Sequence, residues 1–287
     1  MLSTKGRPRI GVGIGIVAAL AALSLEPRPL AQGVSSERAR RVEYDRLLDE
    51  YVRDGLVYYR ALKGARAGLD AYVYALAAAD VPAGGMEEQV AFWLNAYNAL
   101  VLQTVIDHYP IAQRTTDYPA RSIRQIPGAF DSMRRRVAGR SVTLDEIEQG
   151  QLAAFHDPRL YLALGRGALG SGRLRSEAFD SANLDRQLAE VAAECVTRAQ
   201  CFQIVRATGR MRVSAIFSWR RSAFIELYAA ESPWTFVSRS PIERGVLAFL
   251  LPQLYDAERA FLGTSAFLME YLPFDWSLND LTNRRSG

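Results

Sequence analysis

The stretch best suited to chemistry in this 287-residue chain is Gly165-Arg166-Gly167-Ala168-Leu169-Gly170-Ser171-Gly172. It follows a short apolar run, residues 160–164, that reads as a buried strand, and it leads toward a helix start. A glycine-dense turn in that setting can present a nucleophile or surround an anion with backbone amides. Its one nucleophile is Ser171, whose hydroxyl needs a nearby base because it is almost wholly protonated at neutral pH. The chain has two histidines, His108 and His156. His156 lies before the expected strand and Ser171 beyond it, so His108, closing a long helix, is the better base. The turn amides would then serve as an oxyanion hole. Leu169 and Arg173 do not supply the outer glycines of G-x-S-x-G, and the plainer alternative is an ordinary turn and helix cap.

Residues 165–170 also spell G-x-G-x-x-G. A dinucleotide site would need an acidic residue about 20 positions on at a strand end. Asp185 and Glu190 fall within an expected helix instead, so no cofactor is expected. No metal site is expected either. Cys195 and Cys201 are the only cysteines, no histidine lies near them, and two thiols do not complete a tetrahedral shell. They sit where a helix gives way to a strand, and in an oxidising compartment they read as a disulfide, with free thiols the alternative.

Several blocks, in order, carry a family likeness. Residues 157–179 begin Asp157-Pro158-Arg159 and continue through Ala163, Leu164 and Gly167. Phe92-Trp93-Leu94-Asn95-Ala96-Tyr97-Asn98 precedes His108-Tyr109-Pro110, and Leu144-Asp145-Glu146-Ile147-Glu148-Gln149-Gly150 follows later. Residues 213–219 and 272–279 complete the set. Over roughly residues 85 to 280 the chain resembles the domain-of-unknown-function 547 family. The resemblance implies cysteines where Arg166 and Ser171 stand, histidines where Tyr161 and Gln149 stand, and asparagine where Gly165 stands. It carries no settled activity, and it implies that the thiol site of the family has degenerated here.

Around the turn, Asn95 and Asn98 share one face of the core helix. Buried amides must meet their hydrogen bonds. Either they tie the helix to the glycine turn, or they line a pocket with Trp93 or Tyr97 as wall and Gly165, Arg166 and Gly167 on its rim. Asp157 and Arg159 read as an ion pair beside it. Trp219 and Trp276 read as core residues.

The elements that would position these groups can be placed by periodicity. Helices are expected over residues 34–52, 64–79, 87–108, 181–198, 221–230 and 242–254, the third apolar all round and therefore central. Residues 133–143 and 202–216 read as hairpins turning at Ala138-Gly139 and Thr208-Gly209. Clustered helices and hairpins favour an α+β fold over a doubly wound sheet: a helix-rich single domain at 85–287, a helical extension at 32–84, and a signal peptide or N-terminal anchor at 1–31. The last rests on Lys5, Arg7 and Arg9 before an uncharged run over residues 10–25, short of the ~20 residues of a spanning helix. A periplasmic or secreted location follows, with membrane attachment only through an uncleaved leader.

The net charge of +4 owes most to that leader. Residues 1–31 hold four positive side chains (Lys5, Arg7, Arg9, Arg28) against Glu26, so the remainder carries +1. So even a balance gives no electrostatic case for nucleic acid, and Arg134-Arg135-Arg136 with Arg140 reads as a solvated hairpin face. The leading expectation is a non-catalytic envelope protein that binds a peptide, glycan or protein partner. The alternative is a hydrolase or acyl-transfer enzyme using Ser171 with His108.

Overall fold

A computed structural model describes residues 1–2 and 30–284; residues 3–29, nearly all of the expected leader, lie outside the described residues. Among the described residues no helix is long and apolar enough to cross a membrane.

The N-terminal part runs α1 (Leu30–Tyr51), β1 (Val52–Arg53), β2 (Leu56–Val57), α2 (Tyr59–Gly64) and α3 (Ala67–Ala78). Helix α1 lies on α3 through a stacked ring pair, Tyr44 and Tyr72, with centroids 4.4 Å apart. Helix α4 (Met86–His108) follows. Glu87 and Glu88 in its first turn suit the positive end of the helix dipole, and Pro110 disfavours continuation beyond His108. Nearly every residue from Val90 to Ile106 is buried, so α4 is the axis around which the rest packs.

Strands β3 (Arg135–Val137) and β4 (Arg140–Val142) pair antiparallel. Ala138 and Gly139 between them both have positive φ, 51° and 70°, the turn geometry that matches the twist of a two-residue hairpin. Thr143 and Glu146 form a reciprocal capping box that starts α5 (Leu144–Glu146). The chain then widens into a π-turn at Ile147–Leu152 that buries Glu148.

Next comes α6 (Arg159–Leu162), where a strand is expected from sequence. A short apolar run does not distinguish strand from buried helix; here the start signal decides. Pro158 pre-sets a helical φ, and Asp157 accepts the Arg159 amide at 2.9 Å. Helix α7 (Leu184–Thr197) begins three residues later than Ser181, which opens a short 3-10 turn and caps nothing.

The C-terminal half holds β5 (Phe202–Val205), β6 (Arg210–Ser214), α8 (Ala215–Trp219), α9 (Arg221–Tyr228), α10 (Pro241–Leu250), α11 (Asp256–Gly263) and β7 (Leu268–Leu272). The sheet order is β5-β6-β7, antiparallel then parallel, with Phe202 opposite Val213 and Ser214 opposite Leu272. One continuous buried cluster joins α1, α3, α4, α7, β6 and α10. The architecture is helix-rich with small sheets, as an α+β fold requires.

Candidate functional site

The glycine turn is held from three sides. From α4, Asn98 accepts the Gly165 amide at 2.8 Å and donates to the Ala163 carbonyl at 3.3 Å. From the C-terminal segment, Ser277 and Asp275 carbonyls accept the Leu169 and Gly170 amides at 2.9 and 2.8 Å. From beyond α7, Arg198 donates to the carbonyls of Ser171 and Leu169 at 2.8 and 3.2 Å. Gly172 is fixed by closeness, since a Cβ there would fall 1.4 Å from the Leu162 carbonyl oxygen.

These bonds decide what the turn can do. The Arg166 amide donates to Ser171 Oγ at 3.0 Å, and the Ser171 amide to the Ala168 carbonyl. The amides of Gly165, Arg166, Leu169, Gly170 and Ser171 therefore all have protein acceptors, and an oxyanion built there would have to displace them. Ser171 itself is 3% exposed. His108 stands exposed at the end of α4 with Nδ1 against the Thr104 carbonyl at 2.9 Å, and His156 is exposed at a left-handed turn. Among the described residues Ser171 shares no hydrogen bond with either histidine.

Arg166 is the centre of the arrangement. Its guanidinium donates to Glu148 Oε1 at 2.7 Å and to the Tyr161 carbonyl at 3.1 Å. Arg220 converges on the same oxygen through Nη2 at 2.6 Å and Nε at 3.1 Å, and the Tyr97 hydroxyl reaches Glu148 Oε2 at 3.5 Å. Burial alone would raise the Glu148 carboxyl; the two guanidinium groups outweigh it and hold it below the usual carboxylate range. Burial pushes the Tyr97 hydroxyl upward, with Glu148 adding to the effect.

Arg220 connects this buried knot to the surface. Its neighbour Trp219 is 43% exposed, which corrects the expectation of a core residue. The Trp219 ring lies 4.8 Å from Phe274 and 6.1 Å from Trp276, with Phe274 and Trp276 4.4 Å apart. Arg124 sits over Trp276 at 4.5 Å and over Phe130 at 4.9 Å, cation–π distances. Asp145, partly buried near Arg124 and Arg220, has its carboxyl raised by burial first and then by Glu148.

Of the other expected site residues, Asn95 exchanges two hydrogen bonds with the Phe179 backbone, at 2.9 and 2.8 Å. Both asparagines therefore tie α4 to the chain beside it. Trp93 is buried edge-on to Phe92, and Gly167, at φ 67°, is packed near Val101 and Val105. Asp157 and Arg159 are ion-paired at 2.8 Å, with Asp185 joining at 2.9 Å. Cys195 and Cys201 are disulfide-bonded. On the hairpin, Arg134 pairs with Glu146 and Arg135 with Asp107. Among the described residues no group of three or more His, Cys, Asp or Glu could hold a metal.

Glu148, Arg220 and Arg124 escape sequence reasoning. The Ile147-Glu148-Gln149-Gly150 block carried a signal for Glu148, but nothing in the order of residues links it to arginines 18 and 72 positions away.

Residues 84–196 match the family described as "Protein of unknown function, DUF547". No curated protein and no solved structure matches the chain. Trp219, Arg220, Phe274 and Trp276 all lie beyond the matched residues.

Proposed function

The chain belongs to the DUF547 family through residues 84–196, and from that premise we propose that it is an exported, non-catalytic binding domain. The observation that carries this reading is Arg166: where the family pattern places a cysteine, a buried arginine is locked to Glu148. The position of the second cysteine holds Ser171, whose oxygen accepts a backbone amide. Neither position offers an accessible nucleophile with a base beside it.

The binding face centres on exposed Trp219, with half-buried Phe274 and Trp276 beside it and Arg124 and Arg220 at its edge. Tryptophan, tyrosine and arginine are the residue types that dominate protein–protein hot spots, and exposed aromatic patches mark interaction surfaces. The partner is a polypeptide segment with an acidic residue to meet the arginines. The disulfide supports an oxidising compartment, in keeping with a leader whose composition is that of a secretory signal.

A photo-crosslinking residue in place of Trp219 tests the reading. One discrete polypeptide adduct is expected, weakened by Arg124→Glu. Covalent labelling of the purified chain by a fluorophosphonate, abolished in Ser171→Ala, would instead install the serine-dependent hydrolase or acyl-transfer enzyme.

A further inference from the structure

Strand β7 closes one side of the C-terminal sheet, whose order is β5-β6-β7. The Leu268 amide donates to the Gly209 carbonyl at 2.9 Å, so Leu268 turns its backbone polar groups toward β6. With a period of two, Glu270 and Leu272 do the same, and Met269 and Tyr271 turn theirs outward. Among the described residues nothing hydrogen-bonds to those outward groups. The open stretch is bounded at both ends. Arg239 donates to the carbonyls of Ser265 and Phe267 at 2.9 and 2.7 Å, and Pro273 has no amide to offer.

An amide and a carbonyl repeated at a spacing of two residues match a second extended chain. Natural edge strands are usually covered, charged or broken; this one exposes Leu268 and Tyr271, at 63% and 40%. A second copy of the chain is the poorer occupant. Antiparallel self-pairing that uses Met269 and Tyr271 on both strands sets the two Glu270 side chains against each other, like charges in direct opposition. A foreign strand carries no such conflict. Arg210 and Arg212 lie on the same face of the sheet as Glu270, and among the described residues it is the one carboxylate within ion-pair distance of either. That surplus of positive charge favours an acidic segment.

We infer that the polypeptide partner binds as an extended strand added to the open edge of β7, its acidic residue at the Trp219 end, a mode of binding that presupposes the polypeptide reading of the Trp219 face. Edge and face are continuous. Past Pro273 the chain reaches Phe274 and Trp276, and Trp219, 4.8 Å from Phe274, ends the helix that directly follows β6. Main-chain bonds along β7 hold the segment, and the aromatic surface selects the side chains beyond it.

The test is selection on the whole protein of peptides of about seven residues, enough to run from Met269 to Phe274, from a random displayed library. The strongest are then synthesised with single backbone N-methyl groups, and their affinities read by fluorescence anisotropy. Methylation at alternate residues is expected to weaken binding about five- to tenfold, one hydrogen bond each, and methylation between them to leave it unchanged. Tyr271→Pro removes an outward amide and no ladder amide, the placement in which an edge strand accepts proline. It should weaken every selected peptide by the same factor, and Tyr271→Val, which keeps the amide, by less. Should the proline variant fail to fold, the methylated peptides on the unaltered protein decide. Methylation effects without alternation, or peptides that need Trp219 yet bind Tyr271→Pro as tightly as the unaltered chain, overturn the strand and leave the aromatic face standing. A dimer of the free protein that Tyr271→Pro dissolves gives the edge to a second copy and also overturns it. A library that yields no binder overturns both the strand and the face.

Discussion

Arg166 and Glu148 face each other across 2.7 Å with side chains 4% and 5% exposed, and Arg220 completes the pair from the surface. A buried charge is tolerated only when paired and hydrogen-bonded, and Glu148 is met by two cations. Removing it leaves Arg166 buried without a counter-charge. Glu148→Gln is therefore expected to cost about 3–5 kcal/mol, read by denaturant unfolding at neutral pH. The sign with pH follows from the depressed folded pKa of Glu148. Its stabilisation is present above the unfolded carboxylate pKa and is lost as pH falls through the lower folded value. The gap between wild type and Glu148→Gln should close in strong acid; a gap independent of pH would show that packing, not charge, holds the knot.

Asp145 runs the other way. Its folded pKa is raised, so its contribution is full below the unfolded value and lost as pH rises through the folded one. At neutral pH its ionised form works against the fold. Asp145→Asn is expected to raise the melting temperature at pH 7 by an amount worth under about 1 kcal/mol, the group being only partly buried and screened by solvent. Near pH 3 the two proteins should melt together.

The glycine turn separates chemistry from shape. Ser171→Ala removes the acceptor of the Arg166 amide and should cost about 1 kcal/mol, with crosslinking at the aromatic face unchanged. Gly172→Ala places a methyl against the Leu162 carbonyl and should cost more than about 4 kcal/mol. Equal stability for the two variants would mean that the turn is looser than its hydrogen bonds imply.

Trp219→Ala should cost only about 0.5–1.5 kcal/mol of folding stability, the scale of one aromatic pair, yet abolish the polypeptide adduct formed by a photo-crosslinker at position 274. A full adduct yield in that variant would move the partner elsewhere.

The helices over residues 87–108 and 242–254 and both hairpins were legible because periodicity and turn chemistry are local. The disulfide was legible for the same reason. The α6 turn was not, because the five apolar residues 160–164 fit a strand as well as a helix and only Asp157-Pro158 decides. Strand β7 was missed because its pairing with β6 spans the crossover through α8 to α11, and no local pattern announces a parallel partner. Arg166 and Ser171 stood out in the sequence as departures from the family pattern, but what Arg166 does depends on Glu148 and Arg220. The Trp219 face was misplaced in the core because residue type alone does not report which side of a short helix faces solvent.

Residues 275–280 do more than end the fold. They pair with the glycine turn through Leu278 and with β2 through Asp280, and Asn279 accepts the Tyr59 hydroxyl across 220 residues of chain. Asp280 accepts that of Tyr109. While the polypeptide is being synthesised, these buried partners stay open until the last of those residues emerges. A chain stalled or clipped before that point lacks the acceptors of the Tyr59 and Tyr109 hydroxyls and of the Leu169 and Gly170 amides, so both the N-terminal helices and the glycine turn wait on the same six residues.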